Sequence, residues 1–403
     1  MNARVLYAWE LGDNAGHVTR GAALGTNLRD GQTSFLSAVR NTTVAQQVLR
    51  PRGFHFVQSP VHMRPVTRPF RHAISSYAGI LAASGYDNSD DLLGMLEAWV
   101  SLIRLYHADV VLLDHAPTAL LACRVLGVAA IAIGSGFEIA PSQYPLPSFW
   151  GAAPSAEATA NETMVLNNIN QCLTRLGSVA ITSIGQLFSE IPCVFTTYPE
   201  LDHYGARTTG IYVGPLEHVH KQSKAVWRGP HRHNVFVYLV ADEILQEKVI
   251  SVLLSLNVNA ICVFPNLLPM IKLNSKRIQL FSDMLDLKDI FRDTDVIITN
   301  GGAGLVAESL SRGIAMILLP DSPEQLLGAQ RVQALGAAKL LQSNPSIDDL
   351  YVAISSFTVA GSEQAAAKSF QSKYIHLTPA VAFDQISKII SLLADRNPAL
   401  DGG

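Results

Sequence analysis

Three places in this chain combine residue types that do chemistry with a spacing that could aim them. The first is Glu10-Leu11-Gly12-Asp13-Asn14-Ala15-Gly16-His17, which follows the short apolar run Val5 to Trp9. Gly12 and Gly16 allow a tight turn with close backbone approach, and His17 falls where the next helix begins. There the positive end of the helix dipole disfavours imidazolium and leaves a neutral base near neutral pH. A helix-capping or core-satisfied histidine is the competing reading. The second place is Asp114, at the end of Val110-Val111-Leu112-Leu113-Asp114-His115. A carboxylate ending a buried strand can orient an imidazole and stabilise its protonated form. It can equally cap the helix that follows Pro117. Glu10 and Asp13 share the loop of His17, as an alternative base or as contacts for a polar acceptor.

The third place is Asp295-Val296-Ile297-Ile298-Thr299-Asn300-Gly301-Gly302-Ala303-Gly304-Leu305-Val306-Ala307-Glu308. A strand enters a glycine-rich turn and then a helix, which aims free backbone N–H groups and the positive dipole end at an anion. Phosphate binding is the natural use, and Glu308, about one turn into the helix, could accept hydrogen bonds from ribose hydroxyls. A further strand, Ala315 to Leu319, ends at Pro320 and leads to Glu324 and Gln325, an acid and an amide beside the same turn. The GxGxxG fingerprint of dinucleotide binding is absent from the first loop.

These residues need elements to hold them. Short Val, Ile and Leu runs alternate with helical patterns, the signature of parallel strands covered on both faces by helices. In the first half the predicted strands are Val5 to Trp9, Thr33 to Val39, His55 to Gln58, Val110 to Asp114, Val128 to Ile133 and Cys193 to Thr196. The predicted helices are Val18 to Arg29, Asp91 to Tyr106, Pro117 to Leu126 and Glu162 to Leu176. The pattern restarts with strands at Val235 to Val240, Ala260 to Phe264, Asp295 to Thr299 and Ala315 to Leu319. At 403 residues, two α/β domains of this type fit the length. The break falls after Val213-Gly214-Pro215, giving a domain 1–215, a solvated linker 216–233 and a domain 234–380. The linker's histidines, His218, His220, His231 and His233, lack the fixed ligand spacing of a metal site. A last helix, about 381–396, should pack back on a domain surface.

On these residues the chain resembles the GT-B fold, nucleotide-sugar-dependent glycosyltransferases of family 1, the group of plant and bacterial small-molecule glycosyltransferases. The family's donor signature matches without a gap from Asn300 to Gln325. Its phosphate-contacting histidine falls on Asn300, its ribose-binding glutamate on Glu308, its helix-ending glycine on Gly313 and its sugar-binding pair on Glu324 and Gln325. The family's glycine-histidine motif falls on Gly16-His17 and the aspartate of its catalytic dyad on Asp114. The chain departs from the pattern at Asn300 and at Tyr238-Leu239-Val240-Ala241-Asp242, where the family has a Gly/Ser-containing loop. It also lacks a clear counterpart, near Phe281 to Leu285, of the aromatic that stacks on the base in plant members.

The resemblance implies two Rossmann-like parallel-sheet domains facing across a cleft, the first binding the acceptor and the second the donor. It implies an inverting, hexosyltransferase-type enzyme with His17 and Asp114 as catalytic residues. The donor, a nucleoside diphosphate sugar of the UDP-sugar kind, would be bound by Asn300, Gly301, Gly302, Ala303, Gly304, Leu305, Glu308, Glu324 and Gln325. The co-substrates are that donor and a small or lipophilic acceptor, with no cofactor and no metal. A nucleotide-sugar epimerase on the same fold and a non-catalytic nucleotide-sugar-binding scaffold are the alternatives. Met63, Phe70, Tyr77, Phe137, Tyr144, Phe149 and Trp150 are candidate acceptor-lining residues, with core packing the expected role of most. Asp293-Thr294-Asp295 has the form of a metal-holding DxD, but it introduces a strand.

Composition narrows the remaining classes. A net charge of −3 lacks the positive excess that dominates nucleic-acid affinity. Charged residues are only 16% and apolar residues 48%, so large cores and some apolar surface are expected. Cys123, Cys172, Cys193 and Cys262 form no CxxC pair, which points to a reducing compartment. The N-terminal apolar run is too short for a signal peptide. The most apolar stretch, Thr118 to Gly134, carries Arg124 and falls short of the roughly 20 residues that span a bilayer. A cytoplasmic protein without a transmembrane segment is expected, with peripheral membrane contact left open.

Overall fold

Strand runs this apolar must be covered on both faces, and the chain does so twice. The computed structural model describes residues 3–12, 15–29, 33–63, 74–151, 153–216, 225–228, 233–266, 275–283, 285–357 and 361–395. Asp13, Phe70, His218, His220 and His231 lie outside the described residues. One compact unit comprises Met1–Pro199, Tyr204–Val219 and Pro379–Gly403, and a second comprises Glu200–His203 and His220–Thr378.

In the first unit, strands β1 (Arg4–Trp9), β2 (Ser34–Val39), β3 (His55–Gln58), β4 (Val110–Asp114), β5 (Ala129–Gly134), β6 (Cys193–Phe195) and β7 (Ile211–Tyr212) pair in the order β3-β2-β1-β4-β5-β6-β7. Every pairing is parallel. Its helices are α1 (Gly16–Leu28), α2 (Thr42–Val48), α3 (Tyr77–Leu81), α4 (Ser89–Tyr106), α5 (Pro117–Leu126), α6 (Ala156–Arg175) and α7 (Ile184–Ser189). In the second unit, β8 (Asn234–Tyr238), β9 (Asn259–Val263), β10 (Ile278–Phe281), β11 (Val296–Thr299), β12 (Ala315–Leu318) and β13 (Ala338–Leu340) pair in the order β10-β9-β8-β11-β12-β13, again in parallel. Helices α8 (Glu243–Ser255), α9 (Leu287–Arg292), α10 (Ala303–Ser311), α11 (Pro323–Ala334), α12 (Ile347–Ser356) and α13 (Ser362–Lys373) belong to it, and α14 (Pro379–Ala394) ends the described chain.

In both sheets the strand order reverses beside the first strand of the unit, between β1 and β4 and between β8 and β11. Crevices at the carboxyl ends of such strands are where doubly wound sheets bind ligands. The register places Trp9 beside Asp114 and Tyr238 beside Thr299. Asp114 ends β4, and His17 and the Asn300 turn follow such strand ends.

Helix α14 belongs to the first unit. Its Ala382, Phe383, Ile386 and Ile390 recur at helical spacing and share one buried cluster with Val18, Ala22 and Ala23 of α1 and Val5, Tyr7 and Trp9 of β1. The strands β7, β10 and β13 were not expected from the sequence. All three are sheet edges, where one side faces solvent and no continuous apolar run is required. Within the expected linker, residues 226–227 make contacts. Trp227 donates its indole N–H to the Ile290 carbonyl at 3.1 Å, and Gln279 donates to the Val226 carbonyl at 2.9 Å. An amphipathic indole gains by docking its ring and satisfying its N–H, so residues 226–227 lie on the second unit.

Candidate active site

Helix α1 starts directly after the loop that leaves β1, which carries His17 back to the end of β4. There His17 Nδ1 lies 2.9 Å from Asp114 Oδ1, with the histidine 5% exposed and the aspartate fully buried. Because the ionised carboxylate only accepts, Nδ1 carries the hydrogen and Nε2 carries the lone pair. The His17 ring stacks on Trp9 at 5.1 Å between centroids. Gly12, at φ +82°, borders Nε2, and a Cβ added there would come within 2.9 Å of that nitrogen. Any larger residue would be strained and would crowd the basic nitrogen.

Asp114 accepts from more than the imidazole. Arg20, one turn further along α1, places NH1 2.6 Å from the same Oδ1, and the Tyr7 hydroxyl bonds Oδ2. Tyr7 also lies 2.6 Å from the His17 carbonyl. Arg20 NH1 reaches Glu138 Oε1 at 3.6 Å, and Glu138 Oε2 accepts from the Ser135 N–H and hydroxyl, each at 2.8 Å. Burial opposes ionisation of Asp114, but Arg20, His17 and the hydrogen bonds together hold its pKa well below the usual carboxylate range. Burial likewise disfavours the His17 imidazolium, yet the charge and hydrogen bond of Asp114 override it and raise the His17 pKa above the ordinary histidine value. This corrects the expectation that the helix dipole sets a depressed value. A helix terminus contributes about 0.3–1 kcal/mol at exposed sites, whereas a buried opposite charge in contact moves a pKa by about 1–3 units.

His17 and Asp114 are not caps. The N-cap of α1 is Ala15, with no side-chain cap bond, and Asp114 faces His17 rather than the start of α5. The free amides of α5 are served by Glu10, whose carboxylate accepts from the Thr118 N–H at 3.0 Å and from the Thr118 hydroxyl. Thr118 in turn meets the Tyr86 hydroxyl at 2.7 Å. Glu10 is therefore tied into the helix start. Burial pushes its pKa up to about 7, against the lowering effect of the Thr118 bonds. A carboxyl whose folded pKa is raised contributes stability that is full below its unfolded value and is lost as pH rises through the folded one. Glu10→Gln, which can keep both Thr118 contacts without charge, should remove that loss. The melting temperature of the variant should gain on wild type as pH rises from about 4.5 to about 7, by roughly 3 kcal/mol of stability. Parallel melting curves across that window would show that Glu10 does not titrate there.

Histidine, aspartate and glutamate also make a metal-binding set, and the ligand atoms of His17, Asp114 and Glu138 lie within 4.8 Å of one another. The guanidinium of Arg20 already sits against both carboxylates as their cation. The residues present fit a resident arginine better than an ion.

In the second unit, β11 ends at Thr299 and the chain turns through Gly301, at φ +90°, into α10. The N-cap is Gly302, no side chain caps the helix, and its first turn holds no acid. The first α10 amide to find an intrahelical carbonyl is Val306, bonded to Gly302 at 3.0 Å, so the N–H groups of Ala303, Gly304 and Leu305 precede the helical ladder. Gly302 is exposed, and a Cβ there would meet nothing within 4 Å. An anion has access to this helix start.

Asn300 has a structural role that its place in the sequence did not suggest. Its Oδ1 accepts from the Val240 N–H at 2.8 Å and its Nδ2 donates to the Leu319 carbonyl at 3.1 Å. It ties together the chain after β8, β11 and β12, with one amide hydrogen remaining for a ligand. Glu308 is buried, with Oε1 3.4 Å from Arg312. Gln325 turns its Oε1 back onto the Asp321 N–H at 2.8 Å, and Glu324 beside it is half-buried. The DxD-like pair lies at the opposite end of β11, where Asp295 Oδ2 accepts from the Asn234 N–H at 2.8 Å. That bond is structural.

The acceptor candidates divide into two groups. Tyr77, Phe137 and Phe149 are buried, the Phe137 ring tilted against Phe149 at 5.1 Å between centroids. Met63, Tyr144 and Trp150 are exposed. His115 lies beside Tyr77 and Phe137, and burial lowers its pKa to about 4, so it is neutral. Tyr7, Arg20 and Glu138 were not singled out from the sequence. Arg20 was the readable one, since residues three apart share a helix face. Glu138 reaches the site from the loop after β5, which no local pattern announces.

Three comparisons with known proteins bear on the fold. Residues 268–376 match the model of the glycosyltransferase family 28 C-terminal domain, a different family number from the one the sequence resembled. A 54-residue stretch is 37% identical to the NDP-glycosyltransferase YjiC of Bacillus licheniformis, spanning 13% of this chain and 14% of that protein. Among solved structures, the glycosyltransferase of kitacinnamycin superposes with a TM-score of 0.70 at 15% identity, over 98% of this chain and all of its own. Spinosyn rhamnosyltransferase SpnG, solved with thymidine diphosphate, superposes with a TM-score of 0.67 at 14% identity, over 96% of this chain and all of its own. The chain thus has the GT-B fold of these glycosyltransferases, and its residues 268–376 are similar to the glycosyltransferase family 28 C-terminal domain.

Proposed function

We propose that this protein is an inverting glycosyltransferase that moves a sugar from a nucleoside diphosphate to a hydroxyl of a small, largely apolar acceptor. The observation that carries the reading is the buried His17–Asp114 pair at the strand-order reversal of the first unit, with Nδ1 held at 2.9 Å and Nε2 left basic. The acceptor hydroxyl gives its proton to His17 Nε2 as its oxygen bonds the anomeric carbon. The bond from that carbon to the diphosphate breaks, and its electron pair leaves with the diphosphate. Asp114 stabilises the imidazolium.

The second unit binds the donor. The amides of Ala303, Gly304 and Leu305 and the dipole of α10 take the diphosphate charge, as preorganised donors do for a leaving group. Gly301 and Gly302 keep the approach open, Asn300 adds one N–H, and Glu308, Glu324 and Gln325 contact ribose and sugar hydroxyls. SpnG was solved with thymidine diphosphate, so a thymidine donor stands beside a uridine one as the nucleotide to test. Free, buried cysteines suit a reducing cytoplasm, and no described helix is long and apolar enough to cross a membrane.

The test is a product assay with radiolabelled UDP- and dTDP-sugars, a panel of hydroxylated apolar acceptors and excess chelator. Label should pass to an acceptor at undiminished rate with chelator present. Isomerised donor would identify an epimerase, and binding without product a scaffold. Loss of transfer in chelator, restored by a divalent ion, would overturn the metal-free part of the reading.

A further inference from the structure

A buried base that must become a cation needs its charge balanced, and the His17–Asp114 pair alone does not explain how. Asp114 Oδ1 is shared by two donors, His17 Nδ1 at 2.9 Å and Arg20 NH1 at 2.6 Å. Arg20 offsets the Asp114 charge, so an imidazolium added to the two would leave a net positive charge in a buried site. Glu138 changes the count. Its Oε1 lies 3.6 Å from the same guanidinium nitrogen, and its other oxygen is held by the backbone and hydroxyl of Ser135. Two carboxylates and one guanidinium leave one net negative charge around neutral imidazole and none around imidazolium.

We propose that Arg20 and Glu138 are positioning residues that work as an opposed pair on the His17–Asp114 dyad, Glu138 supplying the charge that the His17 imidazolium needs and Arg20 limiting it. The proposal rests on the transferase reading only for its use in turnover, since the charge balance is a property of the folded protein. The other groups that face His17 do not supply this charge. Tyr7 of β1 is buried, with its pKa raised well above the ordinary tyrosine value, first by burial. Trp9 does not ionise, and His115 beyond β4 stays neutral. Glu10 is turned onto Thr118. Consistent with the count, Arg20 lowers and Glu138 raises the proton affinity of His17.

The experiment is a nuclear magnetic resonance titration of His17, with its signal assigned through His17→Gln, in Glu138→Gln, Arg20→Gln and the double variant. Glu138→Gln should lower the His17 proton affinity about tenfold and Arg20→Gln should raise it about tenfold, each being one pKa unit. The double variant should return near wild type. The acidic limb of kcat/KM should move the same way in each. A purely structural role predicts losses without opposed shifts, so shifts of one sign or no shift overturn the proposal. If Arg20→Gln does not fold, Arg20→Lys should titrate like wild type while Glu138→Gln still shifts, and an unshifted Glu138→Gln alone is enough to reject it. Opposed shifts in a protein that transfers no sugar would leave the charge pair standing and remove the transferase reading.

Discussion

His17→Ala is expected to lower kcat by roughly 10²–10⁴-fold, the range a positioned general base supplies. Affinity for a nucleoside diphosphate should stay within about twofold of wild type, because the helix-end amides of α10 belong to a different unit of the chain from His17. Such a change removes an interaction made in the transition state and leaves ground-state donor binding alone. The pH profile adds an independent check. In the wild type the rate should fall as pH drops through the raised His17 pKa, because imidazolium cannot take the acceptor proton. In His17→Ala that acidic limb should disappear from the residual rate. Steady-state kinetics across pH, with calorimetry of nucleoside diphosphate binding, measure both. A variant that keeps wild-type turnover would mean that another group takes the proton. Loss of nucleotide affinity together with turnover would instead point to misfolding.

How far the sequence revealed this site depended on how local each signal was. The central strands β1, β4, β8 and β11 were legible because strands buried on both faces are continuous apolar runs. The edges β7, β10 and β13 were not, since an edge strand needs only a few apolar residues on one side. The glycine-rich turn into α10 was legible because its glycines, strand and helix are adjacent in the chain. Whether Asp114 served a cap or an imidazole was left open by the local residues, and only the resemblance favoured the imidazole. The answer depended on Glu10, more than a hundred positions from Thr118, taking the cap of α5 instead.

Asn300 shows a different gap. The resemblance implied a phosphate contact for it, while the bonds to Val240 and Leu319 come from two other strand ends that only the sheet brings near. A neutral amide is suited to that work because it both accepts and donates. The expectation for His17 failed on magnitude. A helix terminus is visible in sequence and a buried carboxylate contact is not, yet the contact is the stronger influence.

Asp114→Asn should damage stability and catalysis together. Asparagine can keep much of the hydrogen-bond geometry. Its oxygen can still accept from His17 Nδ1 and Arg20, and its amide can face the Tyr7 oxygen while the Tyr7 hydroxyl donates to the His17 carbonyl at 2.6 Å. What it cannot supply is charge. Arg20 would remain buried with Glu138, 3.6 Å away, as its carboxylate partner. Removing one member of a buried pair costs about 3–5 kcal/mol, and Glu138 should bring this toward the lower end. The same loss should lower the His17 pKa, because the Asp114 carboxylate is what raises it against burial. An opposite charge in contact shifts a pKa by about 1–3 units, so kcat should fall roughly 10–10³-fold, less than in His17→Ala, and the acidic limb should move to lower pH. Denaturant unfolding at neutral pH measures the first effect and the pH dependence of turnover the second. Unchanged stability with an unmoved limb would mean that Asp114 does not carry the charge on which both Arg20 and His17 depend.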